Sequence, residues 1–200
     1  MQSYVLYLHG FNSSPQSYKA QVVRHWLQRH HPHLRVEIPA LAVSPREAVE
    51  QLEANYFADN KVRPIGIIGS SLGGYYALHL SVRHTVPAAL VNPAIYPYRL
   101  LKDYLGINRN LYTGEVYELG PSHMAELLAL ETEPPAYPQQ VLTLLQTGDQ
   151  TLDYREAVQK FHYHPLWVQG GGSHEFEGFE QTLPAIVAFF QRFAENRAGD

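Results

Sequence analysis

The stretch that most limits what this chain can become is Ile65-Gly66-Ile67-Ile68, running into Gly69-Ser70-Ser71-Leu72-Gly73 and on into Gly74-Tyr75-Tyr76-Ala77. An apolar, β-branched run, a Gly-x-Ser-x-Gly turn and an apolar helix-compatible segment read as strand, tight turn, helix. A serine at such a turn is held on a strained backbone with its hydroxyl exposed above the sheet. The flanking glycines are required because a Cβ at either place would collide with the neighbouring strand or helix. Chance alone would put Gly-x-Ser-x-Gly in roughly one chain of this composition in twenty, so the flanking strand and helix carry the inference.

The same alternation extends along the chain. Tyr4-Val5-Leu6-Tyr7-Leu8 is a near-continuous apolar run, as expected of a parallel strand covered on both faces, and it ends at His9-Gly10-Phe11-Asn12. Ser14 and Pro15 open a helix in which Tyr18, Val22, Trp26 and Leu27 recur at helical spacing. A second strand runs from Leu34 to Pro39. Ser44-Pro45-Arg46-Glu47 is a capping box for a helix whose inner face carries Val49, Leu52 and Tyr56. After the serine turn, Val86 to Val91 is a fourth strand ending at Asn92-Pro93, Val141 to Leu145 a fifth, and Pro165 to Val168 a sixth. A last helix bears Ile186, Val187, Phe189, Phe190 and Phe193. Strands alternating with helices predict an α/β domain, one mainly parallel sheet of about six strands wound on both faces.

Between residues 94 and 137 the alternation is lost, with a candidate hairpin around Thr113-Gly114 and a proline-rich extended segment from Glu131 to Pro138. So long an interruption after the fourth strand reads either as a cap over the carboxyl ends of the strands or as an ordinary helix with long connections. There are no repeats and no linker, so residues 1–200 read as one domain with a cap-like insertion at 94–137.

Composition narrows the chemistry. With no cysteine, disulfides, thiolate catalysis and cysteine-ligated metals are all excluded, and a reducing, cytoplasmic setting is expected. Met1-Gln2-Ser3 leads straight into a strand with no leader pattern, which reads as a mature start. No apolar run approaches the roughly 20 residues that span a bilayer, so no membrane partner is expected. A net charge of −4 without a basic cluster argues against nucleic acid.

In doubly wound sheets, ligands bind at the carboxyl ends of the strands. Four of the predicted strands end in chemically useful residues: His9-Gly10-Phe11, Ser71, Asp149 and His174. A serine hydroxyl needs a base within hydrogen-bond reach, itself oriented by an acid. Ser71, Asp149 and His174 stand in the serine, acid, histidine order of the α/β-hydrolases. His174 follows Gly170-Gly171-Gly172 and Ser173 on a turn that lets an imidazole reach across to Ser71. Asp153 also follows the fifth strand, but Asp153-Tyr154-Arg155-Glu156 has the form of a helix cap, which leaves Asp149 as the orienting acid and Asp153 as the alternative. An oxyanion would be held by the backbone N–H groups of Leu72 and Phe11, with His9 propping the Phe11 loop and Ser70 filling space beside the nucleophile.

Other candidates are weaker. His30, His31 and His33 lack a carboxylate at matching spacing and fall at a helix end, where cationic side chains are favourable in any case, so no metal or cofactor is expected. Gly170-Gly171-Gly172 lacks the lysine and hydroxyl residue of a phosphate-binding loop.

The residues His9-Gly10-Phe11-Asn12-Ser13-Ser14-Pro15, Gly69 to Tyr76, Val91-Asn92-Pro93-Ala94, Asp103-Tyr104-Leu105-Gly106, Tyr112-Thr113-Gly114, Gln146-Thr147-Gly148-Asp149 and Leu152-Asp153-Tyr154-Arg155 together resemble the YqiA-like esterases, small bacterial members of the α/β-hydrolase superfamily. The likeness spans nearly the whole chain. It implies an intracellular carboxylesterase acting on small acyl esters, with Ser71 as nucleophile, His174 as base and Asp149 as acid. Glu175 stands where a small residue is expected. The same machinery would serve thioester cleavage or acyl transfer, and a non-catalytic binding module on the same scaffold is the alternative from another class. Tyr96, Tyr98, Tyr104 and Tyr112 are candidate pocket or cap residues, with substrate contacts otherwise unassigned.

Overall fold

In the computed structural model, residues 3–58 and 63–198 are described. The expected mature start rests on Met1 and Gln2, which lie outside the described residues. In chain order the first half comprises β1 (Tyr4–Leu8), α1 (Tyr18–His30), β2 (Arg35–Glu37), α2 (Pro45–Tyr56), β3 (Gly66–Ser70), α3 (Leu72–His84) and β4 (Ala88–Val91). The second comprises α4 (Pro97–Leu100), β5 (Gly106–Arg109), β6 (Val116–Leu119), α5 (Pro121–Ala129), β7 (Val141–Gln146), α6 (Tyr154–Lys160), β8 (Leu166–Gln169) and α7 (Leu183–Ala198).

Six strands form one sheet in the order β2-β1-β3-β4-β7-β8, every neighbouring pair parallel. Along β1 the side chains alternate between two buried faces. Leu6 and Leu8 join Leu52, Tyr76, Leu80 and Phe161 on the α2, α3 and α6 side. Val5 and Tyr7 join Val23, Leu27, Ile186 and Phe190 on the α1 and α7 side. Burial on both faces is why the central strands read as continuous apolar runs rather than alternating ones. Each fully buried Leu or Ile contributes about 1.5–3 kcal/mol of transfer free energy. Among the described residues, no helix is long and apolar enough to cross a membrane.

The expected capping box at Ser44 is present on its serine side, with Ser44 Oγ accepting the Glu47 N–H at 3.2 Å. The expected inner face of α1 is rotated. Tyr18 is 68% exposed, and the buried stripe is Lys19, Ala20, Val23, Trp26 and Leu27. This stripe has helical spacing too. It was hidden because Lys19 scores as polar, although a lysine stem buries as readily as an aliphatic side chain.

Residues 94–137 hold a helix and the candidate hairpin. Helix α5 docks on the body, where Tyr75 Oη donates to the Leu127 carbonyl at 2.7 Å and Ser44 Oγ to Glu126 Oε2 at 2.7 Å. The hairpin around Thr113-Gly114 is also formed: β5 and β6 pair antiparallel, and Asn110 Oδ1 accepts the N–H groups of Tyr112 and Thr113 across the turn. It is tied to the loop after β1. Leu111 N–H donates to the Asn12 carbonyl at 3.3 Å, Asn110 Nδ2 to the Ser13 carbonyl at 2.8 Å, and Tyr117 Oη to Asn12 Oδ1.

Candidate active site

The turn between β3 and α3 puts Ser71 at φ 56° and ψ −121°, a conformation that L-residues avoid and that must be enforced from outside. The enforcing contacts are backbone hydrogen bonds. Ser71 N–H donates to the Val91 carbonyl at 3.1 Å, and the Ser71 carbonyl accepts from Gly74 N–H at 2.9 Å and Ala94 N–H at 3.1 Å. A Cβ at Gly69 would strike the Gly73 carbonyl and Ala77, and one at Gly73 would strike the Leu8 and His9 carbonyls. The two glycines are thus fixed by close approach of helix to strand, as the motif predicts.

Three elements converge on this serine. From the loop after β8, His174 brings Nε2 to 3.1 Å from Ser71 Oγ. From the end of β7, Asp149 brings Oδ2 to 2.8 Å from His174 Nδ1. The Asp149 side chain is 1% exposed, and its other oxygen accepts the N–H groups of Thr151 at 2.8 Å and Leu152 at 2.9 Å. Burial works to raise this carboxyl, but the hydrogen bonds from His174, Leu152 and Thr151 outweigh it, and its pKa lies below the ordinary aspartate value. An ionised carboxylate at Nδ1 keeps the proton on that nitrogen and leaves Nε2 free to accept from the serine hydroxyl.

Asp153 is not part of this arrangement. Its Oδ1 accepts the Arg155 N–H at 3.0 Å at the start of α6, and its carboxylate pairs with the Arg155 guanidinium.

Two positioning residues escaped the sequence analysis. Asn92, buried at the end of β4 with φ 39°, donates from Nδ2 to the carbonyls of Ser173 at 3.0 Å and His174 at 3.3 Å. Gln146, buried at the end of β7, accepts through Oε1 from Ser173 N–H at 3.0 Å and Glu177 N–H at 2.8 Å. The available signal was a polar amide at or just after the end of a mainly apolar strand, which folding tolerates in a buried place only with dedicated partners.

Gly10 allows the loop after β1 to lie against Ser71, since a Cβ there would sit 3.2 Å from Ser71 Cβ. His9 braces that loop. Its Nδ1 is 3.0 Å from the Gly10 carbonyl, and its Nε2 accepts from Leu41 N–H at 3.4 Å. Burial pushes the His9 pKa down, with the Gly10 carbonyl pulling the other way. Among the described residues, the Phe11 N–H has no hydrogen-bond partner, and Leu72, first in α3, has no intrahelical acceptor for its own.

A cavity of about 150 Å³ opens beside Ser71 and His174, and Leu111 and Tyr112 of the hairpin turn reach its wall. Tyr104 packs edge-on against Phe11, with ring centres 5.7 Å apart. Tyr96 and Tyr98 lie elsewhere, Tyr96 under the Arg99 guanidinium at 4.3 Å and Tyr98 bonded to Glu131. Ser70 is buried on the cavity wall, next to the Tyr7 phenol. His30 stacks on Trp26 and His31 packs tilted against it, and among the described residues no group of three His, Asp or Glu is placed to hold a metal. In the Gly170-Gly171-Gly172 run, the Gly171 carbonyl accepts from Gly148 N–H at 2.8 Å, seating the loop on the end of β7.

The fold recurs among solved structures. A Paleococcus ferrophilus monoacylglycerol lipase superposes with a TM-score of 0.68 at 16% identity, over 95% of this chain and 94% of that one. Mouse alpha/beta hydrolase domain-containing protein 10 gives 0.68 at 12% identity, over 94% and 89%. Est1E from Butyrivibrio proteoclasticus gives 0.66 at 14% identity, over 98% and 88%. At such identities the likeness establishes the α/β-hydrolase fold. A family model described as "Uncharacterised protein family (UPF0227)" matches residues 4–191. Matched over nearly its whole length, the chain belongs to this UPF0227, YqiA-like family and carries the α/β-hydrolase fold on a single domain.

Proposed function

We propose that this protein is a serine carboxylesterase that hydrolyses small acyl esters through an acyl-serine intermediate. The observation that carries the reading is one imidazole bridging two partners, Ser71 Oγ at 3.1 Å and Asp149 Oδ2 at 2.8 Å. The Ser71 oxygen attacks the ester carbonyl carbon while its proton passes to His174 Nε2. The imidazolium so formed is stabilised by ionised Asp149. The developing oxyanion is held by the N–H groups of Leu72 and Phe11, each worth about 2.7–4 kcal/mol in the transition state. Collapse breaks the bond to the alcohol, which leaves with the proton from Nε2. A water then attacks the acyl-serine, giving its proton to Nε2, and the proton returns to Ser71 Oγ as the acid departs.

The monoacylglycerol lipase among the structural neighbours agrees with ester chemistry. Thioesters and acyl acceptors other than water would pass through the same intermediate. We read residues 94–137 as the cap, with the β5–β6 hairpin as the part that covers the site.

Two measurements test the proposal. Ser71→Ala is expected to abolish turnover of p-nitrophenyl butyrate while leaving the unfolding midpoint close to that of the wild type. A fluorophosphonate probe is expected to label the wild type at Ser71. Undiminished turnover in the variant would end the proposal, and a folded wild type inert to both ester and probe would favour the binding-module reading.

A further inference from the structure

The wall of the cavity at Ser71 includes two polar residues, Lys19 and Ser17, that the hydrolytic steps do not use. Lys19 reaches it from the first turn of α1, with only 9% of its side chain exposed. Its ammonium donates to the Glu175 carbonyl at 3.1 Å and to Glu175 Oε2 at 3.0 Å. An ammonium has three N–H donors. Among the described residues, the third has no acceptor. Ser17 lines the same cavity, is 8% exposed, and its Oγ is buried without a hydrogen-bond partner among the described residues. Buried polar groups in folded proteins are nearly always satisfied, so two under-satisfied ones lining the same cavity point to a ligand group that completes them.

Glu175 answers Lys19 incompletely. Its side chain is 75% exposed, so the carboxylate stands mostly in water and is held by the Lys19 contact. The backbone carbonyl contact is independent of that side chain and would keep Lys19 in place without it.

We propose that Lys19 and Ser17 form a subsite for a carboxylate carried by the substrate, and that the Glu175 side chain holds this position until the substrate carboxylate displaces it. The inference rests on the esterase reading and narrows its substrate class to compact esters bearing a carboxylate a few bonds from the scissile carbonyl. Once Glu175 Oε2 is displaced, two ammonium protons and one hydroxyl face the ligand, a set that the two oxygens of a carboxylate can accept, whereas the three oxygens and higher charge of a phosphate exceed what one ammonium and one hydroxyl meet. The cavity, about 150 Å³, is also smaller than the roughly 300–1,000 Å³ of most small-molecule sites, which favours a short chain.

The test compares the p-nitrophenyl monoester of glutaric acid with p-nitrophenyl valerate, which is similar in length but uncharged, after subtraction of uncatalysed rates. Wild type is expected to favour the glutarate ester by about tenfold or more in kcat/KM, the difference falling mainly on KM. Lys19→Met is expected to lose most of that ratio and Ser17→Ala part of it. Glu175→Gln, which removes the competing carboxylate, is expected to raise it. Calorimetric titration with glutarate, which needs no turnover, is expected to show binding that Lys19→Met weakens and Glu175→Gln strengthens. Should Lys19→Met fail to fold, Ser17→Ala and Glu175→Gln carry the comparison. A wild type that shows no preference for the glutarate ester, a preference unchanged across the folded variants, or no glutarate binding would each overturn the inference. A folded wild type that turns over neither ester counts against the esterase reading instead, and the titration still decides the subsite.

Discussion

Asn92 and Gln146 are joined at the carboxyl ends of two adjacent strands, the Gln146 N–H donating to Asn92 Oδ1 at 3.0 Å, and both amides reach the loop that carries His174. Replacing either by alanine strands buried partners in that loop, at about 1–3 kcal/mol for each group left unsatisfied. Because both hold one segment, the double variant is expected to lose less stability than the two single losses combined. Urea unfolding of the three variants, with kcat for p-nitrophenyl butyrate, checks this. Strict additivity without loss of kcat would mean that the amides do not position His174.

Asp149 and Asp153 separate the two candidate acids. Asp149→Asn removes the acceptor that fixes the His174 tautomer and is expected to lower kcat by about 10⁴-fold. Asp153→Asn touches only the start of α6 and is expected to leave kcat near the wild-type value. Since the folded state lowers the Asp149 pKa, this carboxylate contributes stability at neutral pH that is lost as pH falls through its folded pKa. The variant is therefore expected to show less acid sensitivity, measured as the unfolding midpoint against pH.

Gly73→Ala drives a methyl group into the Leu8 and His9 carbonyls, which are backbone groups at the carboxyl end of β1 and cannot swing aside. A loss of about 1–3 kcal/mol or more is expected, with Ser71 displaced from its geometry and turnover falling more than stability alone would explain. Chemical denaturation and kinetics on the soluble fraction test both parts.

His9 gives the Phe11 loop its own acid sensitivity. A carbonyl only accepts and an N–H only donates, so the neutral ring carries its proton on Nδ1 toward Gly10 and accepts Leu41 N–H at Nε2. Its folded pKa is lowered. As pH drops below the ordinary histidine value, near 6.5, the unfolded chain takes up a proton that the folded chain refuses, and stability falls until the folded pKa is reached. His9→Gln is expected to flatten this part of the profile, read as the difference in unfolding midpoint between wild type and variant from pH 7 to 5.

Tyr117 ties the hairpin to Asn12, and burial pushes its phenol up to about 12, so it stays a neutral donor through the working range. Tyr117→Phe loses that bond and is expected to raise KM for p-nitrophenyl butyrate several-fold with little change in kcat. Equal kcat and KM in the two proteins would argue against the hairpin as a cover over the site.

Local pattern was enough to read the sheet and the serine turn. Buried parallel strands are uniformly apolar, and Gly69-x-Ser71-x-Gly73 is dictated by contacts within one strand, one turn and one helix. The inner face of α1 includes Lys19 rather than the expected Tyr18, because a lysine counts as polar in a sequence pattern wherever its stem lies. Asn92 and Gln146 gave little signal, because a buried amide looks like any strand-end polar residue until its partners, 27 to 82 positions away along the chain, are known.

The sequence by itself determined the fold class, the strained serine and the order of the reactive residues, since each follows from side-chain periodicity or from sterics between near neighbours. Only the tertiary structure decided that Asp149 rather than Asp153 meets His174, that Lys19 faces the cavity beside Ser71, and that the hairpin reaches its wall. Those outcomes depend on where loops from separate strands meet in space, and loop paths are set by long-range hydrogen bonds and packing that no local pattern encodes.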